Sequence, residues 1–389
     1  MLSKMPVILG IIILSVIFFG ENIPADFQQT LYAISLAAKS IIVFLLPVII
    51  FCLLFRSTVN LAKDATRMIL LVVIGVCCSN FISTFLSRYV GMWIYNFDMS
   101  LAMPQENSNL LPSWEFNLPS IIPNNQAMFA AIISGIILTK FNMSLALKIS
   151  RQFENVTSII LKVFSFLIPL FVTGFIIKLQ FEGTIHVLIK DYTKVFIIAL
   201  LAQIAYLSLV YLAVSRFDIK IFAKNIRNML PAAILGFSTM SSAASMPLTI
   251  LGVENSARNK SFIGSIIPLT VNIHLIGDCL AIPIFAFAVL KNYDMPTPEF
   301  ASYLIFTLYF VLAKFSVAAV PGGGIIVMLP ILNAHLGFNS EMMSLITALY
   351  ILFDPMITCV NVLGNGAFAL GLDQLTGRNA EDDKGVAYG

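Results

Sequence analysis

The run Ala318-Ala319-Val320-Pro321-Gly322-Gly323-Gly324 interrupts an apolar region near 301–334. A proline followed by three glycines is a poor continuation of any helix. A second apolar region, near 229–252, is interrupted by Ser238-Thr239-Met240-Ser241-Ser242-Ala243-Ala244-Ser245. Each region reads as two half-helices meeting at a tip, a re-entrant hairpin. Irregular backbone of that kind is tolerated at membrane depth only inside protein or beside a cavity.

Uninterrupted apolar runs surround these two regions, near 5–20, 31–55, 68–95, 126–141, 155–178, 193–215, 261–290 and 343–370. About 20 apolar residues cross a hydrocarbon core. The composition agrees: 59% of the 389 residues are hydrophobic, 11% are charged and the mean hydropathy is +0.92. A soluble protein is roughly a quarter charged. The first run lacks a small-residue cleavage site and is expected to be a true span, not a removed signal. The net charge of +3 gives no case for nucleic acid as a partner. Cys52, Cys77, Cys78, Cys279 and Cys359 all lie in apolar stretches without metal-ligand spacing, so they read as small buried hydrophobes and no metal site is expected.

Charge placement orients the spans. Arg56, Lys63 and Arg67 follow the second run, Lys140, Lys148 and Arg151 the fourth, and Arg216, Lys220, Lys224 and Arg227 the sixth. Arg258 and Lys260 separate the first hairpin from the seventh run, whereas 96–125 holds no Lys or Arg. The positive-inside rule makes the former cytoplasmic and the latter external. Eight transmembrane helices and two re-entrant hairpins then close consistently, with both termini cytoplasmic and the hairpins entering from opposite sides. That arrangement suggests an inverted pseudo-repeat, in which transporters bind substrate near the midplane. The tail after Leu375 is polar and is expected to be disordered.

Asp354, Thr358, Asn361 and Asn365 follow one another at offsets of 4, 7 and 11, which places them on one helical face. Such a stripe either bonds helices together or faces a substrate, the default reading of an intramembrane carboxylate. His274 and Asp278, four apart, could pair or relay protons, or merely join helices. Lys314 either snorkels to the surface or pairs with Asp278 or another carboxylate inside. His186 and His335 read as solvated loop residues. The Ser-rich tip lacks a His–Asp partner and the Gly run lacks a phosphate-loop Lys, so no enzyme is expected. What the tips offer is free N–H groups at half-helix N-termini, suited to an anionic group.

This pattern resembles the dicarboxylate/amino acid:cation symporter family, the glutamate transporter homologues. Three stretches carry the resemblance: 237–247, the serine-rich first tip; Val320-Pro321-Gly322-Gly323-Gly324, the second tip; and 354–362, the stripe of the last helix. The resemblance implies an all-α elevator transporter in the cell membrane, usually a homotrimer. Its scaffold would include helices 1–2 (1–67) and helices 4–5 (126–190). Its transport domain would comprise helix 3 (68–95) and the region 191–372, holding helix 6, hairpin 1, helix 7, hairpin 2 and helix 8. A polar cytoplasmic tail (373–389) would follow. Carried over by position, Ser241, Ser242 and the backbone of Val320, Pro321, Gly322 and Gly324 would hold a substrate carboxylate. Asp354 would pair with an α-amino group, and Thr358 and Asn361 would complete the site.

The departures from the family pattern are equally specific. The Arg that acidic-substrate members carry three residues after Asp354 is Ile357, and the alternative Arg at the first tip is Met240. Dicarboxylate carriers generally lack the Asp, which this chain keeps. The cation-binding positions read Ile276, Asn365, Lys314 and Val317, and the third span opens with the apolar run Leu70-Leu71-Val72-Val73-Ile74. The expectation is a carrier of a small neutral amino acid, sodium-independent, coupled to protons or uncoupled, and without cofactor. His274, Asp278, Lys314 and Asn365 are its candidate coupling residues. The alternatives are a sodium- or proton-coupled carrier of an acidic amino acid or dicarboxylate and, from another class, an anion channel, for which ring-forming charges are lacking.

Overall fold

The computed structural model describes residues 11–12, 15–16, 18–63, 67–96, 110–119, 122, 124–181, 185–317 and 322–376. No strand occurs among them; a 3-10 turn at Gly20–Asn22 is followed by helices only. These are α1 (Ala25–Lys63), α2 (Arg67–Asn96), α3 (Asn124–Phe141), α4 (Met143–Phe181), α5 (Ile185–Val214) and α6 (Ile219–Thr239). They continue as α7 (Ser242–Glu254), α8 (Lys260–Thr270), α9 (Ile276–Asn292), α10 (Phe300–Lys314), α11 (Gly323–Leu336) and α12 (Ser340–Thr376). Of the expected 5–20 span only 11–12, 15–16 and 18–20 are described, and most of 96–125 and the tail beyond Thr376 lie outside the described residues. Among the described residues, Leu70–Asn96, Tyr192–Val214 and Glu341–Thr376 are long and apolar enough to cross a membrane.

Both interrupted regions form helix pairs. At the first tip α6 ends on Met240, in the left-handed region at φ 48°, and Ser241 caps α7 by accepting a hydrogen bond from the Ala244 N–H. The second pair is α10 and α11, separated by 315–322, of which 318–321 lie outside the described residues. Gly322 opens α11 at φ 73°, a backbone conformation that suits glycine.

The run 261–290 is not one helix: α8 and α9 are separated at 271–275. Side chains of neighbours satisfy the broken ladder. Asn80 Nδ2 donates to the Ile273 carbonyl (2.7 Å), Asn80 Oδ1 accepts from the Leu275 N–H (3.2 Å), and Asn365 Nδ2 donates to the His274 carbonyl (3.2 Å). Such payment of free backbone groups is required inside a bilayer. Three further corrections concern boundaries. His335 belongs to the last turn of α11 and stacks on Tyr309 at 4.4 Å, and residue 186 lies within α5. Asp373, read as tail, is on α12 and buried.

Packing follows two groupings. α1 packs against α3 and α4, whereas α2 packs against α9 and α10, and α12 against α5, α6, α7 and α9. Every residue of 276–290 in α9 is buried, so this short helix is wrapped on all sides. Large apolar side chains such as Ile82, Trp93, Ile133, Leu201 and Ile234 are exposed, as expected of a surface facing lipid. Across the groupings, Lys178 of α4 reaches Glu341 at the start of α12, Nζ to Oε1 2.9 Å.

Candidate functional site

The helical spacing of α12 brings Asp354, Thr358, Asn361 and Asn365 inward together, each at most 4% exposed. Two clusters form along this stripe. In the first, Asp354 Oδ2 accepts the Gly322 N–H (2.9 Å) and Oδ1 accepts the Thr358 hydroxyl (3.2 Å). The N-terminus of α11 is thus set on a carboxylate, the favourable sense of the helix dipole. Asp354 forms no ion pair among the described residues.

The second cluster centres on Asp278 in the first turn of α9. Lys314 Nζ lies 2.9 Å from Asp278 Oδ2, with the two side chains 0% and 2% exposed. Tyr350 donates its hydroxyl to Asp278 Oδ1 (3.0 Å), and Asn361 Nδ2 points to the same oxygen (3.3 Å). Asn361 Oδ1 accepts the Gly277 N–H (2.8 Å), and Gln203 Nε2 donates to the Gly277 carbonyl (3.0 Å). The Lys314 ammonium also sits over the Phe310 ring, 4.7 Å from its centroid. Lys314 therefore does not snorkel: it is an internal ammonium, hydrogen-bonded and paired as a buried charge must be.

His274 and Asp278 do not meet, contrary to their i, i+4 spacing. The break at 271–275 removes the helical turn that would join them, and α9 begins only at Ile276. His274 Nε2 instead bonds the Ser79 hydroxyl (2.8 Å), and its ring stacks on Phe368 at 4.4 Å. Its Nδ1, and Oδ1 of Asn365, are buried with no hydrogen-bond partner among the described residues.

The first tip approaches the stripe through α6. A Cβ on Gly236 would stand 3.0 Å from the Val362 side chain and 3.5 Å from both Ser245 Oγ and the Thr358 methyl. Ser242 is buried in the first turn of α7. Val320 and Pro321 lie outside the described residues. Ile357 and Met240, standing where the resembled family has arginines, are 0% and 3% exposed and apolar.

Two contributions escaped sequence reasoning. Tyr350 extends the α12 stripe by one turn, a signal available at offset −4 from Asp354. On α2, Asn80, Ser83, Thr84 and Ser87 are all fully buried, against α9 and Tyr303 in part. The apolar opening of that span, 70–74, gives no sign of this polar stretch about one to four turns further on.

The close seating of α11 carries a prediction. A Cβ on Gly324 would overlap Asp278 Oδ2 and the Tyr350 hydroxyl, whereas one on Gly264 in α8 would meet nothing within 4 Å. Gly324→Ala is expected to unseat the hairpin at a cost of about 1–3 kcal/mol, and Gly264→Ala to be neutral or stabilising. Thermal unfolding of the two variants in detergent reads the contrast; equal melting temperatures would refute the close contact.

A family model described as Sodium:dicarboxylate symporter family matches residues 5–375. The chain is 30% identical over 157 residues to the Proton/sodium-glutamate symport protein of Geobacillus stearothermophilus, covering 40% of this chain and 36% of that protein. It is 27% identical over 150 residues to Excitatory amino acid transporter 5 of Mus musculus, covering 38% and 26% respectively, and the Homo sapiens counterpart matches to the same extent. These matched segments span about a quarter to just over a third of the relatives' lengths. The two helix pairs, the inward stripe of α12 and a family match running over nearly the whole chain lead to one conclusion: the protein is a multi-pass helical membrane protein that belongs to the sodium:dicarboxylate symporter family.

Proposed function

We propose that this chain is a secondary transporter of a small neutral amino acid, independent of sodium and either proton-coupled or uncoupled. One observation carries the reading: Asp354 is a buried carboxylate whose donors among the described residues are all neutral, namely the Gly322 N–H, the Thr358 hydroxyl and the neighbouring Tyr350 hydroxyl. The internal cation nearby, Lys314, is taken by Asp278. A buried anion of this kind is held at a cost unless it is paired, and a substrate α-ammonium supplies the missing charge. Its carboxylate would be received by the first turn of α7 at Ser241 and Ser242 and by the second tip, including Gly322 and Gly324, with Thr358 and Asn361 beside it. Ile357 and Met240 leave an acidic side chain without a cation partner. A fixed ammonium beside Asp278, and Ile276 and Asn365 at the other positions, argue against bound sodium. His274, whose two ring nitrogens have distinct surroundings, is the remaining proton-coupling candidate.

The same reading makes α1, α3 and α4 part of a scaffold and α2 with α5 to α12 the core of a moving transport domain. The assembly would be a homotrimer in the cell membrane with both termini cytoplasmic. A second reading, a sodium- or proton-coupled carrier of an acidic amino acid, draws on the names of the two relatives. It also draws on the buried oxygens of Thr84 and Asn365, which have no hydrogen-bond partner among the described residues and are cation-ligand types. A ligand panel by thermal shift separates the two, run in sodium and in choline at one ionic strength and repeated across pH. Small neutral amino acids should raise the melting temperature in both salts, and aspartate and glutamate should not. Tight aspartate binding that rises steeply with sodium would overturn the first reading in favour of the second.

A further inference from the structure

We infer that the outward face of α6 is a binding site for an anionic phospholipid. Lys220, Lys224 and Arg227 stand at i, i+4 and i+7, which aligns them along one side of the helix. All three are exposed, and none makes an ion pair or a side-chain hydrogen bond among the described residues. The opposite side, Asn225, Met229, Ala232, Ala233 and Gly236, is buried in the protein. The basic line therefore points away from the body of the molecule.

Beyond Arg227 the exposed residues turn apolar. Leu230 is 46% exposed and Ile234 63%, and Phe237 follows toward the tip. A headgroup lying on the basic line would have its acyl chain along this apolar continuation. General topology rules ask only for cations somewhere in cytoplasmic loops; they do not ask for three on one helical line in register with an apolar strip.

The line is reinforced from a second element. Asn228 Nδ2 donates to Ser256 Oγ at 2.9 Å, which ties the α7–α8 connection to α6 at the level of Arg227. That connection is anchored in turn by buried Asp373, which accepts the N–H groups of Arg258 (2.8 Å) and Asn259 (3.1 Å). The exposed Arg258 and Lys260 are thereby held at the same end as the basic line. The acidic residues on these segments are Asp218, whose carboxylate is spent capping α6, and Glu254. Charge complementarity thus favours an anion, and the apolar strip favours one that carries a lipid tail.

Each Lys or Arg beside an anionic bilayer contributes about five-fold in affinity. The full chain, purified and reconstituted in nanodiscs of phosphatidylcholine with or without phosphatidylglycerol, is examined by native mass spectrometry for retained lipid. Wild type is expected to retain phosphatidylglycerol over phosphatidylcholine. The variant Lys220→Gln/Lys224→Gln/Arg227→Gln should lose this preference, by on the order of a hundred-fold for three charges. A control removing the same number of exposed cations elsewhere, Lys140→Gln/Lys148→Gln/Arg151→Gln, should keep it, with unchanged melting temperatures showing both variants folded. Equal retention in the two variants, no preference in wild type, or displacement of the lipid by inorganic phosphate would each overturn the assignment.

Discussion

Asp354→Asn is expected to abolish binding of the amino-acid substrate. The substitution keeps the shape of the side chain and one carbonyl oxygen, so the bond from Gly322 N–H has a surviving acceptor and the fold should persist. What disappears is the negative charge that an ammonium would meet in a site only 3% exposed. Truncating one partner of a buried charge pair costs about 2–5 kcal/mol, or roughly 30-fold to several thousand-fold in affinity. Isothermal titration of the variant with the best ligand of the thermal-shift panel reads this directly. Affinity within a few-fold of wild type would count against both the site and the amino-acid class of the substrate.

Lys314→Met should have the largest effect on stability. It leaves Asp278 buried, with Tyr350 and Asn361 as its remaining donors. An uncompensated internal charge of this kind costs about 3–5 kcal/mol. The double variant Lys314→Met/Asp278→Asn removes the charge together with its partner and should recover most of the loss, because replacing both members of a buried pair is often close to neutral. Melting temperatures of the wild type, both single variants and the double variant complete the cycle. Additive losses would mean that the two residues do not act as a pair. The cycle also bears on coupling: removing the fixed ammonium should make the Lys314→Met variant, and not the wild type, gain stability from added sodium.

The elements most legible in the sequence were those with a strong local signature. Pro321 and its glycines, and the serines around Met240, forbid a continuous helix, so both hairpins could be read from residue chemistry. The stripe from Asp354 to Asn365 was legible because α12 is regular through that stretch, and a regular helix preserves spacing as adjacency. The pairing of Lys314 with Asp278 could be named only as one option, since no local rule joins residues 36 apart in the chain. The possible pairing of His274 with Asp278 rests on a spacing rule valid only within a helix, and the break at 271–275 removes that helix. That break rests on Asn80 and Asn365, residues far away in sequence, so it was invisible to any local pattern. The buried polar stretch of α2 was hidden for a related reason: a span can be apolar enough for lipid while turning its few polar side chains toward a single neighbour.

The contact between Lys178 and Glu341 joins the end of α4 to the start of α12, with the Glu341 side chain 54% exposed. Half-open to water, such a contact is worth at most about 1 kcal/mol, and salt weakens it further. If the two helix groupings travel past one another, as the proposed elevator mechanism requires, it would act as a snap fastener, closed in one position and absent after a few ångströms of travel. Its strength is close to thermal energy, so it would tilt the balance between such positions without imposing a barrier on the journey. A buried or bidentate clasp at the same place would instead hold such a molecule in one position.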